Sequence, residues 1–354
     1  MTALEQVLAL VRPEILALAP YSSARKESSG GRVWLDANEN PETPAVHRPL
    51  FNRYPEPQPA DLVAKLAALY GVMPAQTLVT RGADEGIDLL LRTFCRAGQD
   101  AILITPPTYG MYVVAADIQG ARTVRVPLDR ENSFALDADA VIQAVAPGVK
   151  LVFLCSPNNP TGGLLDRAAV LKIVRALAGR AVVVVDEAYV DFAGVPSLGA
   201  EIPANPNLVV LRTLSKAFGF AGARVGTTIA DPAVIAVLQK VIAPYPIPVP
   251  VLLAALSALS PEGIAASRES VRQLLAERQR LLAALPKIAA VRRVWPSDSN
   301  YILLEVADSA RAMAAGRAAG VIWRDRSKDV PNAIRVTVGT AEENSQTLEV
   351  LSRV

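Results

Sequence analysis

Apolar and amphipathic segments alternate along the chain from about residue 60. Residues 61–70 predict an amphipathic helix, because Leu62, Leu66 and Leu69 recur at helical spacing on one face. Short apolar runs predict strands at 77–80, 101–104, 123–126, 151–155, 181–185, 208–211 and 225–229. Most of these runs are continuously apolar, which is typical of strands that are buried on both faces. The pattern therefore predicts an α/β fold built on a three-layer, wound, mostly parallel sheet.

A proline-rich segment at 244–250 interrupts this alternation and predicts a boundary between two domains. The sequence beyond it predicts a long helix at 262–285, a helix at 309–319 and strands at 291–295, 300–306 and 333–338. Thr340 and Glu343 have the spacing of a capping box that opens a last helix. We expect a large domain over 45–246 and a smaller α+β domain formed by 247–354 together with 1–44, which includes an N-terminal arm.

Composition and charge exclude several classes of protein. The 354 residues are 51% hydrophobic and 20% charged, which is ordinary usage for a folded chain. A net charge of +2 is too small for a general grip on a polyphosphate backbone, so we expect no nucleic-acid partner. The longest uncharged window, 241–261, contains prolines that break the helix a membrane span requires. Glu5 and the absence of a basic lead argue against a signal peptide.

The cysteine and histidine content limits the possible chemistry further. Cys95 and Cys155 lie in apolar stretches where free thiols usually pack, which favours a reducing compartment such as the cytoplasm. His47 is the single histidine, in a proline-flanked stretch typical of a turn, so sites that need several imidazoles are excluded. We therefore expect no metal ion, and the chain has no serine elbow that could complete a triad with His47.

Polar residues that could take part in catalysis or ligand binding recur directly after five of the predicted strands. The turns concerned are 82–85, 107–109, 156–162, 186–189 and 215–216. In open wound sheets the carboxyl ends of the strands form the ligand crevice, so these turns predict one common site.

Each of these residues also has an alternative structural interpretation. Asp186 could be a helix N-cap, Lys216 a solvated lysine, Arg224 a surface charge and Tyr109 a half-buried aromatic residue. The segment 159–162 could be an ordinary turn. Their combination has no obvious joint structural purpose, which favours an active site.

The order of these residues resembles that of the fold-type-I aminotransferases, which depend on pyridoxal phosphate. It runs Asn-Pro-Thr-Gly at 159–162, Asp186 with Tyr189, Ser215 with Lys216, and then Arg224. Longer sequence motifs, spread over about residues 21–340, resemble those of the histidinol-phosphate aminotransferase family. The matching motifs are LDANENP (35–41), RYP (53–55), RGADEGIDLL (81–90), PTYGMY (107–112), CSPNNPTGG (155–163), VVDEAYVDF (184–192), LRTLSKAFGFAGARVG (211–226), SNYILL (299–304) and IRVTVGT (334–340).

The resemblance implies that pyridoxal 5'-phosphate is the cofactor and that five residues hold its reactive ring. Lys216 would bond to the cofactor and later act as the base that moves the substrate proton. Asp186 would pair with the pyridine nitrogen and keep it protonated. Asn159 and Tyr189 would bind the ring hydroxyl, and Tyr109 would stack on the ring face.

The resemblance also implies a phosphate site at the start of the helix that follows Gly82. The backbone N–H groups of Ala83 and Asp84 would point at the phosphate, as they do at other helix N-termini that bind anions. Ser215 and Arg224 would add a hydroxyl and a guanidinium. Thr213 would contribute as well.

Two further groups of residues complete the implied site. Tyr54 would reach the phosphate of a neighbouring subunit, which implies a homodimer; alternatively, it stabilises a proline-rich turn. Arg335 would grip the anionic end of the substrate, assisted by Arg324, Tyr21 and Asn159. One planar guanidinium can bind a phosphate monoester and a carboxylate in turn.

The resemblance implies ping-pong transamination between L-histidinol phosphate and 2-oxoglutarate, giving imidazole-acetol phosphate and L-glutamate in histidine biosynthesis. An aromatic amino-acid aminotransferase, or a decarboxylase acting on a phosphorylated amino acid, is the alternative within the same fold. A cofactor-binding regulator without catalysis is another alternative. Such regulators carry a basic DNA-binding module ahead of the fold, whereas about 45 residues with few basic side chains precede it here. We therefore expect an enzyme.

Overall fold

Two β-sheets organise the described chain, which covers residues 1–19, 37–38, 40 and 51–354 of the computed structural model. The large sheet contains β1 (Thr77–Thr80), β2 (Ala101–Ile104), β3 (Arg122–Arg125), β4 (Val149–Cys155), β5 (Val182–Asp186), β6 (Leu208–Thr213) and β7 (Gly226–Ile229). The small sheet contains β8 (Val291–Val294), β9 (Tyr301–Val306), β10 (Arg324–Asp325) and β11 (Ala333–Thr337). Each strand predicted from the sequence is present, and its ends differ from the prediction by at most two residues.

Helices connect and cover these strands. They are α1 (Ala3–Leu8), α2 (Pro13–Leu16), α3 (Ala60–Tyr70), α4 (Ala83–Phe94), α5 (Met111–Gln119), α6 (Ala138–Ala144), α7 (Arg167–Ala176), α8 (Pro232–Val241), α9 (Val249–Ala258), α10 (Pro261–Ala284), α11 (Ser309–Ala318) and α12 (Ala341–Ser352). The predicted capping box is confirmed, since the side chains of Thr340 and Glu343 each accept a hydrogen bond from the other residue's backbone N–H at the start of α12.

The large sheet has the strand order β1-β7-β6-β5-β4-β2-β3. β3, β2, β4, β5 and β6 run parallel, whereas β7 is antiparallel to both of its neighbours, β6 and β1. The prediction of a mostly parallel sheet is therefore confirmed. The apolar run that forms β7 predicted a strand but carried no information about its direction.

Successive residues of the central strands face opposite sides of the large sheet. Val182 and Val184 of β5 lie in the apolar core beneath α4, α5 and α8, and Val183 and Val185 lie in the core beneath α6 and α7. All four side chains are fully buried, which explains why the run reads as continuously apolar. The arrangement confirms the predicted three-layer architecture.

The small antiparallel sheet has the order β10-β11-β9-β8 and a core of its own. Ile302 and Leu304 of β9 pack there with α10, α11 and α12. Leu303 of β9 faces the other way and joins the core beneath α6 and α7 of the large sheet. The small sheet is therefore clamped against the large one, and β11 lies beside the carboxyl ends of the large sheet's strands.

The division into a large domain over 45–246 and a small domain formed by 1–44 and 247–354 stays a prediction. Within the described N-terminal residues, Val7, Leu10 and Val11 pack into the core beneath α4, α5 and α8. In the described ranges no single helix is long and apolar enough to cross a membrane. One pair, Val249–Ala258 with Pro261–Lys287, passes that test jointly but is bent by 72°.

A close backbone approach fixes the start of α4 against β7. A Cβ atom on Gly226 would lie 2.3 Å from the carbonyl carbon of Gly82, a separation that only a residue without a side chain permits. Gly82 itself has a φ of +78°, a conformation that favours glycine. These two glycines bring the N-terminus of α4 to the same edge of the sheet as the end of β6.

Candidate active site

A cavity of about 500 Å³ opens where the carboxyl ends of β5 and β6 meet the small sheet. It is lined by Ala83, Asp84, Tyr109, Gly110, Met111, Cys155, Asn159, Asp186, Ala188, Tyr189, Thr213, Ser215, Lys216, Arg224, Arg324, Arg326 and Arg335. The five turns that the sequence placed at strand ends therefore converge on one cavity, as the wound topology requires.

Asp186 is the last residue of β5 and is 3% exposed. Its Oδ2 accepts a hydrogen bond from the Tyr112 hydroxyl at 2.8 Å, and its Oδ1 accepts one from the Ala188 amide at 3.1 Å. Burial raises the pKa of Asp186 to about 6, although both hydrogen bonds favour the charged carboxylate. The carboxylate is thus anionic at neutral pH and poorly compensated, which suits it to bind a cationic N–H.

Lys216 follows β6, and its Nζ lies 5.4 Å from the centre of the Tyr189 ring. Burial lowers the pKa of its amine, and the positive charges of Arg335 and Arg224 lower it further. The carboxylates of Asp84 and Asp186 act in the opposite direction but do not reverse the shift. The neutral amine, which is the nucleophilic form, is therefore favoured more than in an exposed lysine.

Anion donors gather at the N-terminus of α4. The N-cap residue of α4, Gly82, has no side chain that could accept hydrogen bonds from the first N–H groups of the helix. Ala83 and Asp84, which carry such N–H groups, line the cavity. Arg224 Nη2 lies 3.0 Å from Asp84 Oδ2, and Arg224 Nη1 donates to Ser215 Oγ at 3.3 Å. Thr213 in turn donates to the Ser215 hydroxyl at 2.9 Å. Helix N–H groups, a hydroxyl and a guanidinium form a donor set that suits a phosphate.

The loop after β4 presents Asn159 between the two sheets. Its amide donates to the Tyr189 hydroxyl at 3.4 Å, and its carbonyl oxygen accepts a hydrogen bond from Arg335. The neighbouring Asn158 holds the loop in place, since its side chain bonds to Thr108, Thr161 and the Pro107 carbonyl. Asn159 therefore links a large-domain strand end to an arginine of the small sheet.

Three guanidinium groups converge at the mouth of the cavity. Arg324 of β10 lies opposite Arg335 of β11 in the antiparallel strand pair. Arg326 lies two residues beyond Arg324 and lines the same cavity. Burial lowers the pKa of Arg326, its ion pair with Asp329 acts against that effect, and the charges of Arg335 and Arg324 lower it further. The concentration of positive charge predicts an anionic ligand at this end.

The described structure places most of the predicted site residues in this cavity. Tyr109 lies there, with its hydroxyl donating to Asp84 at 3.0 Å. Tyr54 does not line it: this side chain is 52% exposed and stacks on Tyr245 at 4.5 Å between ring centres. Tyr21 and His47 lie outside the described residues. The individual roles assigned to these residues stay predictions.

Two residues that bear on the site escaped sequence analysis. Arg326 belongs to the segment WRDRS, where only the pairing of β10 with β11 reveals that it shares a face with Arg324. Tyr112 is fully buried in α5, and its helical position gave no sign that its hydroxyl reaches Asp186. Among the described residues, no group of three or more histidine, cysteine or acidic side chains could hold a metal ion.

The residues present fit pyridoxal phosphate. Lys216 supplies an amine for the aldehyde, Asp186 a buried acid for the ring nitrogen, and the start of α4 with Ser215 and Arg224 a phosphate cradle. Any residue other than glycine at position 226 would place a Cβ against Gly82 and Ala83 and displace the backbone at the start of that cradle.

Comparisons with known proteins agree with this chemistry. The family model for "Aminotransferase class I and II" matches residues 30–351. A histidinol-phosphate aminotransferase of Stenotrophomonas maltophilia is 49% identical, over 99% of this chain and 97% of its own. The solved histidinol-phosphate aminotransferase of Clostridium acetobutylicum has a TM-score of 0.78 at 22% identity, over 86% of this chain and 90% of its own. That of Sinorhizobium meliloti, in complex with pyridoxal-5'-phosphate, has a TM-score of 0.77 at 24% identity, over 86% and 83%.

The position of Lys216 predicts that this residue destabilises the chain when no cofactor is bound. Below the lowered pKa of the folded state, the ammonium must be kept in a buried, positively charged setting, which opposes folding. Lys216→Met should therefore raise the free energy of unfolding at pH 7. The gain should shrink as the pH rises toward about 10.4, where the unfolded lysine also becomes neutral. Urea unfolding of the cofactor-free chain at several pH values measures both effects.

Lys172 provides the control for this prediction. It is 53% exposed and paired with Asp139 at the surface, so Lys172→Met should change the stability by at most about 0.5 kcal/mol and without the same pH dependence. A Lys216→Met variant that is no more stable than the parent chain at pH 7 would contradict the prediction.

Proposed function

The chain belongs to the aminotransferase class I and II family, and on this premise we propose that it is a transaminase that acts on L-histidinol phosphate. It transfers the amino group to 2-oxoglutarate, giving imidazole-acetol phosphate and L-glutamate, a step of histidine biosynthesis. This substrate is supported by the similarity to histidinol-phosphate aminotransferases over nearly the full length of the chain. The enzyme of Aeromonas salmonicida, for example, is 47% identical over 97% of this chain.

The observation that carries the proposal is the meeting of two kinds of residue in one cavity. Lys216 and Asp186 at the strand ends provide an amine and an acid, while Arg324, Arg326 and Arg335 provide positive charge a short distance away. A planar guanidinium such as that of Arg335 binds both phosphate and carboxylate oxygens bidentately. The same arginines can therefore hold the phosphate of one substrate and the distal carboxylate of the other in turn.

Pyridoxal 5'-phosphate is the cofactor, and when bound it supplies an electron-accepting ring for the electrons left at the substrate Cα. Lys216 would hold it covalently, and Asp186 would accept a hydrogen bond from its ring N–H. Asn159 and Tyr189 would bind the ring hydroxyl, and Tyr109 would cover a ring face. The phosphate would be oriented by Ser215, Thr213, Arg224 and the N–H groups of Ala83 and Asp84.

Lys216 also moves the proton of the reaction. With its amine free, Lys216 would take the proton from the substrate Cα and hold it for the next transfer. A base must be neutral to do so, and the lowered pKa of Lys216 increases the neutral fraction at physiological pH.

The enzyme is further proposed to act as a homodimer in the cytoplasm. Large apolar side chains are exposed on one side of the described chain, namely Phe51 at 44%, Tyr54 at 52% and Leu253 of α9 at 47%. Phe51 and Tyr54 line a cavity of about 440 Å³ that residues 51–55 form with residues 37–38 and the start of α9. A second copy of the chain fits this face, since oligomers of one chain bury self-complementary patches. The reduced cysteines, both buried, suit a reducing compartment.

An amino-donor panel with 2-oxoglutarate as acceptor tests the proposed substrate. L-histidinol phosphate should show the highest kcat/KM. Arg335→Ala should lower kcat/KM for both half-reactions by about 30-fold or more, because each loses the half-buried guanidinium proposed to bind its anionic group. Arg272→Ala, which removes an exposed arginine of α10, serves as the control. A higher kcat/KM for phenylalanine would favour an aromatic aminotransferase. Loss in only one half-reaction would show that the anion site is not shared.

Subunit hybrids test the shared site of the proposed dimer. Lys216→Ala and Tyr54→Ala dimers should each be severely impaired, because one lacks the base and the other the residue donated across the interface. Mixing them by unfolding and refolding should restore about a quarter of the wild-type activity, since half of the dimers then carry one intact site of two. No recovery, with hybrids present by native mass spectrometry, would show that Tyr54 acts within its own subunit. An unimpaired Tyr54→Ala dimer would show that Tyr54 plays no part in the reaction.

A further inference from the structure

The Asp186 carboxylate is held by a residue that sequence analysis did not single out. Tyr112 is 0% exposed, and its hydroxyl lies 2.8 Å from Asp186 Oδ2. Its ring stacks on Phe153 of β4 at 4.7 Å between centres and an interplanar angle of 15°, and meets the edge of Tyr109 at 5.6 Å. The same hydroxyl also interacts with the buried Cys155 side chain at the end of β4.

Both oxygens of the carboxylate are thereby engaged by neutral donors. Tyr112 binds Oδ2, and the Ala188 amide binds Oδ1 from the turn that follows β5. The next residue, Glu187, also accepts hydrogen bonds from a hydroxyl and an amide, those of Ser197 and Leu198, but its Oε2 lies in addition 3.6 Å from the guanidinium of Arg212. Of these two consecutive buried acids, Glu187 has a cation beside its neutral donors, and Asp186 is held by a phenol and an amide.

The choice of a neutral donor has a chemical consequence for Asp186. An arginine at this place would neutralise the carboxylate and compete with the protonated ring nitrogen. Without any side-chain donor, burial would favour the protonated acid, which cannot accept a hydrogen bond from a ring N–H at the same oxygen. The phenol keeps the carboxylate charged while leaving its negative charge available.

Several other ionisable groups face Asp186 and set the background against which Tyr112 acts. They are Asp84 at the start of α4, Tyr109 before α5, Cys155 at the end of β4, Glu187 and Tyr189 after β5, and Lys216 after β6. The two acids among them, Asp84 and Glu187, oppose ionisation of Asp186. The Tyr112 hydrogen bond is the strongest of the contacts that favour it, ahead of the Ala188 amide.

We propose that Tyr112 is a positioning residue whose hydroxyl orients the Asp186 carboxylate and keeps it ionised for the cofactor ring nitrogen. The inference rests on the proposed function only for the role of Asp186 toward the cofactor. The coupling between Tyr112 and Asp186 is a property of the chain itself and can be measured without the cofactor.

Tyr112→Phe tests the proposal, because it removes the hydroxyl and keeps the ring that packs on Phe153. Tyr301→Phe is the matched control. Tyr301 is 2% exposed and its hydroxyl donates to the Asn158 carbonyl at 2.8 Å, so this variant also deletes a buried, hydrogen-bonded phenol. The first measurement is a pH titration of the carboxyl ¹³C signal of Asp186 in the full chain without cofactor, assigned by its loss in Asp186→Asn.

In Tyr112→Phe the titration midpoint of Asp186 should rise by about one to two pH units, the amount expected when a carboxylate loses one hydrogen bond. Tyr301→Phe should leave the midpoint where it is in the parent chain. The second measurement is the affinity for pyridoxal phosphate as a function of pH. Affinity should fall on acidification as Asp186 protonates, and in Tyr112→Phe the fall should begin at a correspondingly higher pH.

An unchanged midpoint in Tyr112→Phe would overturn the proposal, and so would an equal rise in Tyr301→Phe. Either result would leave the proposed function standing if Asp186→Asn still abolishes transamination. Conversely, a shifted midpoint in a chain that neither binds pyridoxal phosphate nor transaminates would refute the proposed function while supporting the coupling.

Discussion

Burial favours the neutral forms of both the acid and the amine of this site, so it shifts their pKa values in opposite directions. The pKa of Asp186 is raised to about 6, while that of Lys216 is lowered. A structure selected only for stability would have exposed or paired these groups, as it does with Arg212 and Asp191 at 2.7 Å. The Asp186 carboxylate and the Lys216 amine, both poorly compensated in one cavity, lower the stability of the chain, and a bound ligand can offset this loss. The other residues of the site are arranged around these two groups.

The topology of the sheet makes this constraint possible. Adjacent parallel strands end at one edge, so β5 delivers Asp186 and β6 delivers Lys216 to the same cavity from two segments of chain. Alternation along the strand separates neighbouring acids, with Asp186 facing the cavity and Glu187 facing Arg212. The small sheet then closes the cavity with Arg335, which contacts Asn159 of the large sheet.

Sequence analysis predicted the strands and the cavity residues that follow them, because continuous apolar runs and polar turns have local signatures. It could not predict what depends on register or direction. The antiparallel course of β7 and the approach of Arg326 to Arg335 both depend on the direction and register in which neighbouring strands pair. Tyr112 shows the same limit, since a tyrosine on an apolar helix face is usually core, and only the fold reveals its hydroxyl against Asp186.

The proposed chemistry requires that Lys216 is the residue that holds the cofactor. Borohydride reduction of the full chain loaded with pyridoxal phosphate, followed by proteolysis and mass spectrometry, identifies the lysine that carries it. Lys216 should carry a pyridoxyl group, and in Asp186→Asn the amount of this adduct should fall in proportion to the weaker binding of the cofactor. An adduct on another lysine, or none on Lys216 at saturating cofactor, would contradict the proposed chemistry.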